Sequence, residues 1–361
     1  MTTLQHETAT EPNTDEHIAG YTPLPTPAAL RADLPADEAT RAAVARARDE
    51  VRAVLAGVDD RLLVIVGPCS IHDTAAGLDY ARRLARAAAR HRGELLVVMR
   101  TYFEKPRTTI GWKGLVNDPG LDGSHDMEAG LRAARRFLLD VTALGLPAAT
   151  EFLEPVAPQY LADLLAWGAI GARTAESQIH RQLVSGLSMP VGFKNGTDGG
   201  LQVALDACTA ASVGQAFLGM DPHGQASMVR TQGNPDVHLV LRGGAAGPNY
   251  GDPDLAAASE AARTAGLNPR LVVDASHANS GKSHERQSRV LADLADSIAA
   301  GQDRLAGVMA ESFLVPGAQK LVPGATLAYG QSVTDACMGW EATASALGRL
   351  AAAVRTRMDA R

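Results

Sequence analysis

Eight short apolar runs rich in β-branched residues, each followed by a helical stretch, constrain this chain more than any other feature. They span residues 62–66, 95–99, 147–152, 169–173, 191–194, 238–242, 271–274 and 305–309. A strand wetted on one face alternates apolar and polar residues, whereas a parallel strand covered on both faces is apolar throughout. Eight such strands separated by helices predict an α/β chain closed into a (β/α)8 TIM barrel, with an open doubly wound sheet as the other arrangement. A chain of 361 residues fits one barrel of ~250 residues with additions.

The additions are legible as well. Residues 37–57 read as a helix, with Ala43, Val44, Ala47, Val51, Val54 and Leu55 on one stripe. What precedes them is polar and Pro-rich, so 1–57 is expected to be an arm plus a lead helix and 58–361 the barrel. Between the fifth and sixth strands, Phe217 to Arg230 carries Gly219, Asp221, Pro222 and Gly224, which predicts an inserted β-hairpin within about 212–236. An insert of that kind suits regulation or assembly, and together with the arm it points to a homodimer or homotetramer.

Composition excludes several partners. A net charge of −6 supplies no basic field for nucleic acid. No apolar stretch approaches the ~20 residues of a membrane span, and the acidic residues Glu7, Glu11, Asp15 and Glu16 make the N-terminus a poor signal or transit peptide, so a soluble, cytoplasmic setting is expected. Cysteines number only three, Cys69, Cys208 and Cys337, which argues for reduced thiols rather than a disulfide framework.

In a barrel the reactive side chains gather where the strands finish. Here those positions carry Gly67-Pro68-Cys69-Ser70, Arg100, Glu151, Arg173, Lys194, Arg242, His277 and Glu311. One cation after a strand is usually a solvated loop charge. Four cations converging on one cavity repel one another, so Arg100, Arg173, Lys194 and Arg242 imply an anionic ligand, such as a phosphate that also bears a carboxylate. Cys69, His277 and Glu311, joined by Asp335 beyond the last strand, are all metal-ligand types. A thiolate, an imidazole and two carboxylates suit Mn, Fe, Co or Zn better than Mg. The loop Lys105-Pro106-Arg107-Thr108 offers a second phosphate clamp.

These stretches resemble the type I 3-deoxy-D-arabino-heptulosonate 7-phosphate (DAHP) synthases of the shikimate pathway, from about residue 62 to residue 340. The resemblance runs through Gly67-Pro68-Cys69-Ser70-Ile71-His72-Asp73, residues 102–112, Gly168-Ala169-Ile170-Gly171-Ala172-Arg173-Thr174, residues 190–198, Leu241-Arg242-Gly243-Gly244, Ser276-His277-Ala278-Asn279-Ser280 and Thr334-Asp335-Ala336-Cys337. It implies a metal-dependent transferase that condenses phosphoenolpyruvate with D-erythrose 4-phosphate. It implies further that Cys69, His277, Glu311 and Asp335 hold one divalent ion and that Arg100, Arg173, Lys194 and Arg242 hold phosphoenolpyruvate. Lys105, Arg107 and Thr108 would surround erythrose 4-phosphate, with Lys105, Glu151 and His277 closest to the chemistry. The sister reaction with arabinose 5-phosphate goes with a different loop from Lys105-Pro106-Arg107-Thr108, and a catalytically dead regulatory barrel should have lost ligands that this chain retains.

One departure is Ala245-Ala246-Gly247, where relatives have a shorter segment usually bearing a Lys before Pro248-Asn249-Tyr250. Phe217, Gly219, residues 231–235 and 187–190 look more like tyrosine-sensitive relatives, so an aromatic amino acid effector is expected, tyrosine ahead of phenylalanine, with no feedback as the other outcome. Cys337 lies two residues after Asp335, close enough to predict a disulfide with Cys69 when metal is absent and oxidant present.

Overall fold

The structure is a computed structural model that describes residues 16–322 and 325–361, so the first part of the N-terminal arm, residues 1–15, lies outside the described residues. Ten strands follow in chain order: β1 (Leu62–Gly67), β2 (Leu95–Arg100), β3 (Ala148–Glu151), β4 (Trp167–Ile170), β5 (Val191–Lys194), β6 (Ala216–Met220), β7 (Ala226–Arg230), β8 (Val237–Leu241), β9 (Leu271–Asp274) and β10 (Leu305–Glu311). Eight of them close into a barrel in the order β1-β2-β3-β4-β5-β8-β9-β10, every neighbouring pair parallel. The barrel excludes the open sheet. β6 and β7 pair antiparallel as the expected hairpin, with Leu218 opposite Met228.

Helices α1 (Pro27–Asp33) and α2 (Glu38–Ala56) precede the barrel, and α3 (Thr74–Arg90), α4 (Met127–Ala143), α5 (Ala157–Leu161), α6 (Gln178–Val184), α7 (Gln202–Ala211), α8 (Asp252–Thr264), α9 (His284–Ala299) and α10 (Trp340–Asp359) surround it. The period-two alternation of each strand separates two cores. Leu62, Val64 and Val66 of β1 face the helices, whereas Leu63 and Ile65 join Leu96, Val98, Trp167, Val240 and Val272 inside the barrel.

The lead helix follows its sequence signals closely. Asp37 caps its first turn by accepting from the Thr40 amide at 2.7 Å, and Gly57 ends it in the left-handed conformation, φ 74°, which costs a glycine no steric penalty. Val51, Val54 and Leu55 pack into the barrel interior. Arg48 donates to Ala162 O and Leu165 O, Arg52 to Ser188 O and the Asp236 carboxylate, and Asn268 to Leu55 O. All of these partners precede strands, so α2 closes the N-terminal end of the barrel.

Two expectations shift. The fourth strand begins at Trp167 and ends at Ile170, because the wholly buried indole extends it backward and Gly171 turns the chain, accepting from the amides of Thr174 and Ala175. Arg173 therefore stands on that turn rather than ending a strand. The Pro-rich lead segment also contains α1, started by a Thr26 cap and a proline in its first turn, a combination that favours helix initiation.

Candidate active site

All the proposed site residues except Cys69 line a single cavity of about 330 Å³ at the C-terminal mouth of the barrel: Arg100, Lys105, Arg107, Thr108, Glu151, Arg173, Lys194, Arg242, His277, Glu311 and Asp335. Cys69, fully buried just after β1, lies against it. Its thiol is 3.0 Å from Lys105 Nζ and 3.6 Å from Asp335 Oδ2.

The inward stripe of each strand explains the convergence. Leu96 and Val98 lead to Arg100, Ala149 to Glu151, Val272 to Asp274 and Met309 to Glu311, so the same parity that fills the barrel with apolar side chains ends in charge at its mouth. Arg100 is completely buried, with Nη2 3.2 Å from Glu311 Oε1, Nη1 2.9 Å from Met309 Sδ, and its guanidinium carbon 3.8 Å from the centre of the Tyr102 ring. Lys194 Nζ sits between Asp274 Oδ2 at 3.1 Å and Glu151 Oε2 at 3.5 Å. Burial opposes charge on Glu151, yet Lys194, Lys105 and Arg100 outweigh it and hold the carboxyl below its usual range. Asp274 is held lower still, where Lys194 and His277 overcome the same burial.

The remaining cations lie higher. Arg242 follows β8 and its amide donates to Asn195 Oδ1 at 2.8 Å. Burial lowers its guanidinium from the ordinary value, and nearby Arg173 adds to that against Asp274. Two like charges this close favour a dianion between them. Arg173 is exposed at the rim, as are Arg107 and Thr108. Here Gly244 packs so tightly on Gly199 that a Cβ would come within 2.2 Å of the Gly199 Cα, and the departure at 245–247 folds as a short turn with the Ala245 amide donating to Thr197 O.

Cys69, Glu311 and Asp335 each present one ligand atom within 4.8 Å of the others. Burial pushes the thiol up to about 12, Glu311 adding to the effect and Lys105 opposing it. One sulfur and two carboxylates fit a borderline divalent cation, whose charge deprotonates a ligating thiol. His277 stands outside that set. It faces the same cavity, φ 57°, with Nδ1 3.0 Å from Asp274 Oδ2 and 2.9 Å from Ser276 Oγ, an arrangement that leaves Nε2 to act.

Residues 35–347 match the model of the DAHP synthetase I family. The chain belongs to that family. It is 51% identical over 353 residues to the phospho-2-dehydro-3-deoxyheptonate aldolase of Corynebacterium glutamicum, covering 96% of each chain. It is 52% identical over 345 residues to the Phe-sensitive phospho-2-dehydro-3-deoxyheptonate aldolase of Escherichia coli, covering 96% of this chain and 98% of that one. A solved structure of the phospho-2-dehydro-3-deoxyheptonate aldolase from Francisella tularensis superimposes with a TM-score of 0.92 at 46% identity, covering 94% and 99% of the two chains.

Asp274, Tyr102 and Lys282 also belong to the site, and the sequence reading assigned them no role. Asp274 holds both Lys194 and His277, and Tyr102 and Lys282 line the cavity. For Asp274 the signal was present: it lies two residues after the inward-facing Val272, whereas His277 lies beyond the strand in a short 3-10 turn.

Proposed function

We propose that this chain condenses phosphoenolpyruvate with D-erythrose 4-phosphate to give DAHP and inorganic phosphate, the first step of the shikimate pathway. The observation that carries the reading is one cavity lined by seven cations, Arg100, Arg173, Lys194 and Arg242 among them, and by two of the three clustered metal-ligand residues, with the third against its wall. The deep cations Arg100 and Lys194 suit the compact carboxylate, and the adjacent pair Arg173 and Arg242 suits the dianionic phosphate. Arg107 and Thr108 at the rim take the phosphate of erythrose 4-phosphate. The aldehyde then faces C3 of phosphoenolpyruvate, and orientation of this kind contributes a large part of a rate enhancement.

As the C3–aldehyde carbon bond forms, the double-bond electrons leave C2 electron-poor, water adds there, and phosphate departs with cleavage of its C2–O bond. Glu151, held ionised, orients that water. Lys105 Nζ supplies the proton that the developing alkoxide requires. Cys69, Glu311, Asp335 and Nε2 of His277 would hold one divalent ion drawn from Mn, Fe, Co and Zn. When bound, the ion supplies positive charge toward the aldehyde oxygen, an effect of several kcal/mol. The test is phosphate release from phosphoenolpyruvate plus erythrose 4-phosphate, abolished by chelator and restored by metal. No release, or equal release with arabinose 5-phosphate, would overturn the reading. Arg242→Ala should raise KM for phosphoenolpyruvate about 10- to 100-fold with a smaller change in kcat, since a charge-assisted contact is removed; initial-rate kinetics would measure it.

A second cavity of about 810 Å³ lies between the inner face of the hairpin and the body, lined by Phe217, Gly219, Val229, Thr231, Leu187 and Ser188 among others. It gathers the segments that suggest feedback, and relatives are named Phe-sensitive and Trp-sensitive. This cavity takes an aromatic amino acid, and tyrosine is to be tested first, ahead of phenylalanine, by inhibition of the same assay. Met228 and Leu218, the latter also bordering this cavity, are 64% and 84% exposed on the hairpin, a patch suited to a second copy in a homodimer or homotetramer. Leu218→Asp should then shift the mass by light scattering toward monomer while the melting temperature of the barrel changes little.

Among the described residues no helix is long and apolar enough to cross a membrane. The three cysteines are buried and unpaired, in keeping with a reducing, cytoplasmic setting. Cys337 Sγ accepts from the Cys69 amide at 3.4 Å, which supports the redox expectation. Peroxide treatment of chelated protein should leave one titratable thiol, and metal-loaded protein should keep all three.

A further inference from the structure

Tyr102 follows β2 by two residues, is 1% exposed, and lines the catalytic cavity. Its ring is the surface on which Arg100 rests, 3.8 Å from guanidinium carbon to ring centre, with Lys105 Nζ at 5.9 Å. Contacts of that kind contribute most when desolvated, so the ring accounts for how a fully buried guanidinium is held. It does not account for the hydroxyl.

Among the described residues the hydroxyl has one hydrogen-bond partner, Met309 Sδ, at 3.9 Å. A thioether is a weak acceptor. This one already receives Arg100 Nη1 at 2.9 Å, a shorter contact from a charged donor. The buried O–H therefore remains without an adequate acceptor, and leaving such a group unsatisfied is costly unless a ligand completes it. Burial raises the phenol above its ordinary value, against the pull of Arg100 and Lys194, so it keeps its proton at neutral pH. Toward an anion it can only donate.

We propose that the Tyr102 hydroxyl contacts the substrate directly, donating a hydrogen bond to the carboxylate of phosphoenolpyruvate alongside Arg100 and Lys194. This rests on the reading of the cavity given above. The two cations supply charge, and the hydroxyl adds a direction. It marks the carboxylate end of the ligand as distinct from the phosphate end, since among the described residues that line the cavity Tyr102 carries the one buried hydroxyl.

The experiment is calorimetric titration of the metal-loaded protein with phosphoenolpyruvate and, separately, with inorganic phosphate, for wild type and Tyr102→Phe. The variant retains the ring and its contact with Arg100. The expected result is a Kd for phosphoenolpyruvate raised about 10- to 100-fold, the range for a hydrogen bond to a charged group, with the Kd for inorganic phosphate within twofold of wild type. Equal phosphoenolpyruvate affinity in variant and wild type would overturn the proposal, and so would an equal loss of both ligands, which would mean a distorted cavity. Should Tyr102→Phe melt well below wild type, 4-fluorophenylalanine at the same position provides the ring without the donor and faces the same two outcomes. Wild-type protein that binds no phosphoenolpyruvate would instead sink the reading of the cavity itself, separately from anything the variant does.

Discussion

Lys194→Met should destabilise the protein by about 3–5 kcal/mol, the range for removing one partner of a buried ion pair, and should abolish detectable phosphoenolpyruvate binding. The ammonium lies within 3.5 Å of Glu151 and 3.1 Å of Asp274; Asp274 is wholly buried, and Glu151 is buried except where it borders the cavity. Burial resists the negative charge of Glu151, and Lys194 is the foremost of the cations that overcome it. The pH dependence carries a sign. In wild type the depressed Glu151 carboxyl stabilises the fold above the unfolded carboxyl range near ~4, and that contribution is lost as pH falls through the lower folded value. Without the ammonium, Lys105 and Arg100 are left to oppose burial and the folded carboxyl titrates higher than in wild type, so the variant loses part of that stabilisation at neutral pH and the loss shrinks on acidification. Urea unfolding of both proteins between pH 7 and pH 4 should show the difference narrowing as pH drops. A constant difference, or none, would mean that Lys194 does not hold Glu151 in its charged form.

Cys69→Ala should reduce metal-dependent turnover by about a thousandfold or more, since the charge it helps to hold is worth several kcal/mol. Metal retained after dialysis should fall with it, as read by elemental analysis. The fold should tolerate the change better than Lys194→Met: the thiol is small and, pushed up to about 12, carries no charge of its own in the absence of a cation. Wild-type turnover in this variant would remove the assignment of the triad.

How far the sequence was readable depended on which physics each position obeys. β1, β2, β5 and β9 were placed within a residue or so because strands buried on both faces are continuous apolar runs. β4 slipped because Gly168 and Ala169 say little about where a strand starts, and the cue was the large indole of Trp167, fixed by the barrel interior and by His238, 3.2 Å away. The cations and metal-ligand types were found because charge at a strand end is conspicuous. Asp274 was passed over in favour of His277, three residues on, since a histidine attracts notice before a carboxylate that acts through its neighbours. The Tyr102 hydroxyl could not be read at all from sequence, because its want of an acceptor depends on where Met309 and Arg100 arrive in space.

The lead helix stoppers the barrel at its far end, packing Val51, Val54 and Leu55 against the interior, and the apolar side chains that fill that interior leave the reaction chamber a vessel with one doorway. Whatever occupies the floor beside Arg100 and Lys194 has to pass the rim at Arg107 and Thr108 before a second molecule settles there. On the proposed assignment, traffic is expected to be sequential, the three-carbon acid entering before the sugar and the seven-carbon product clearing the threshold before the next cycle begins.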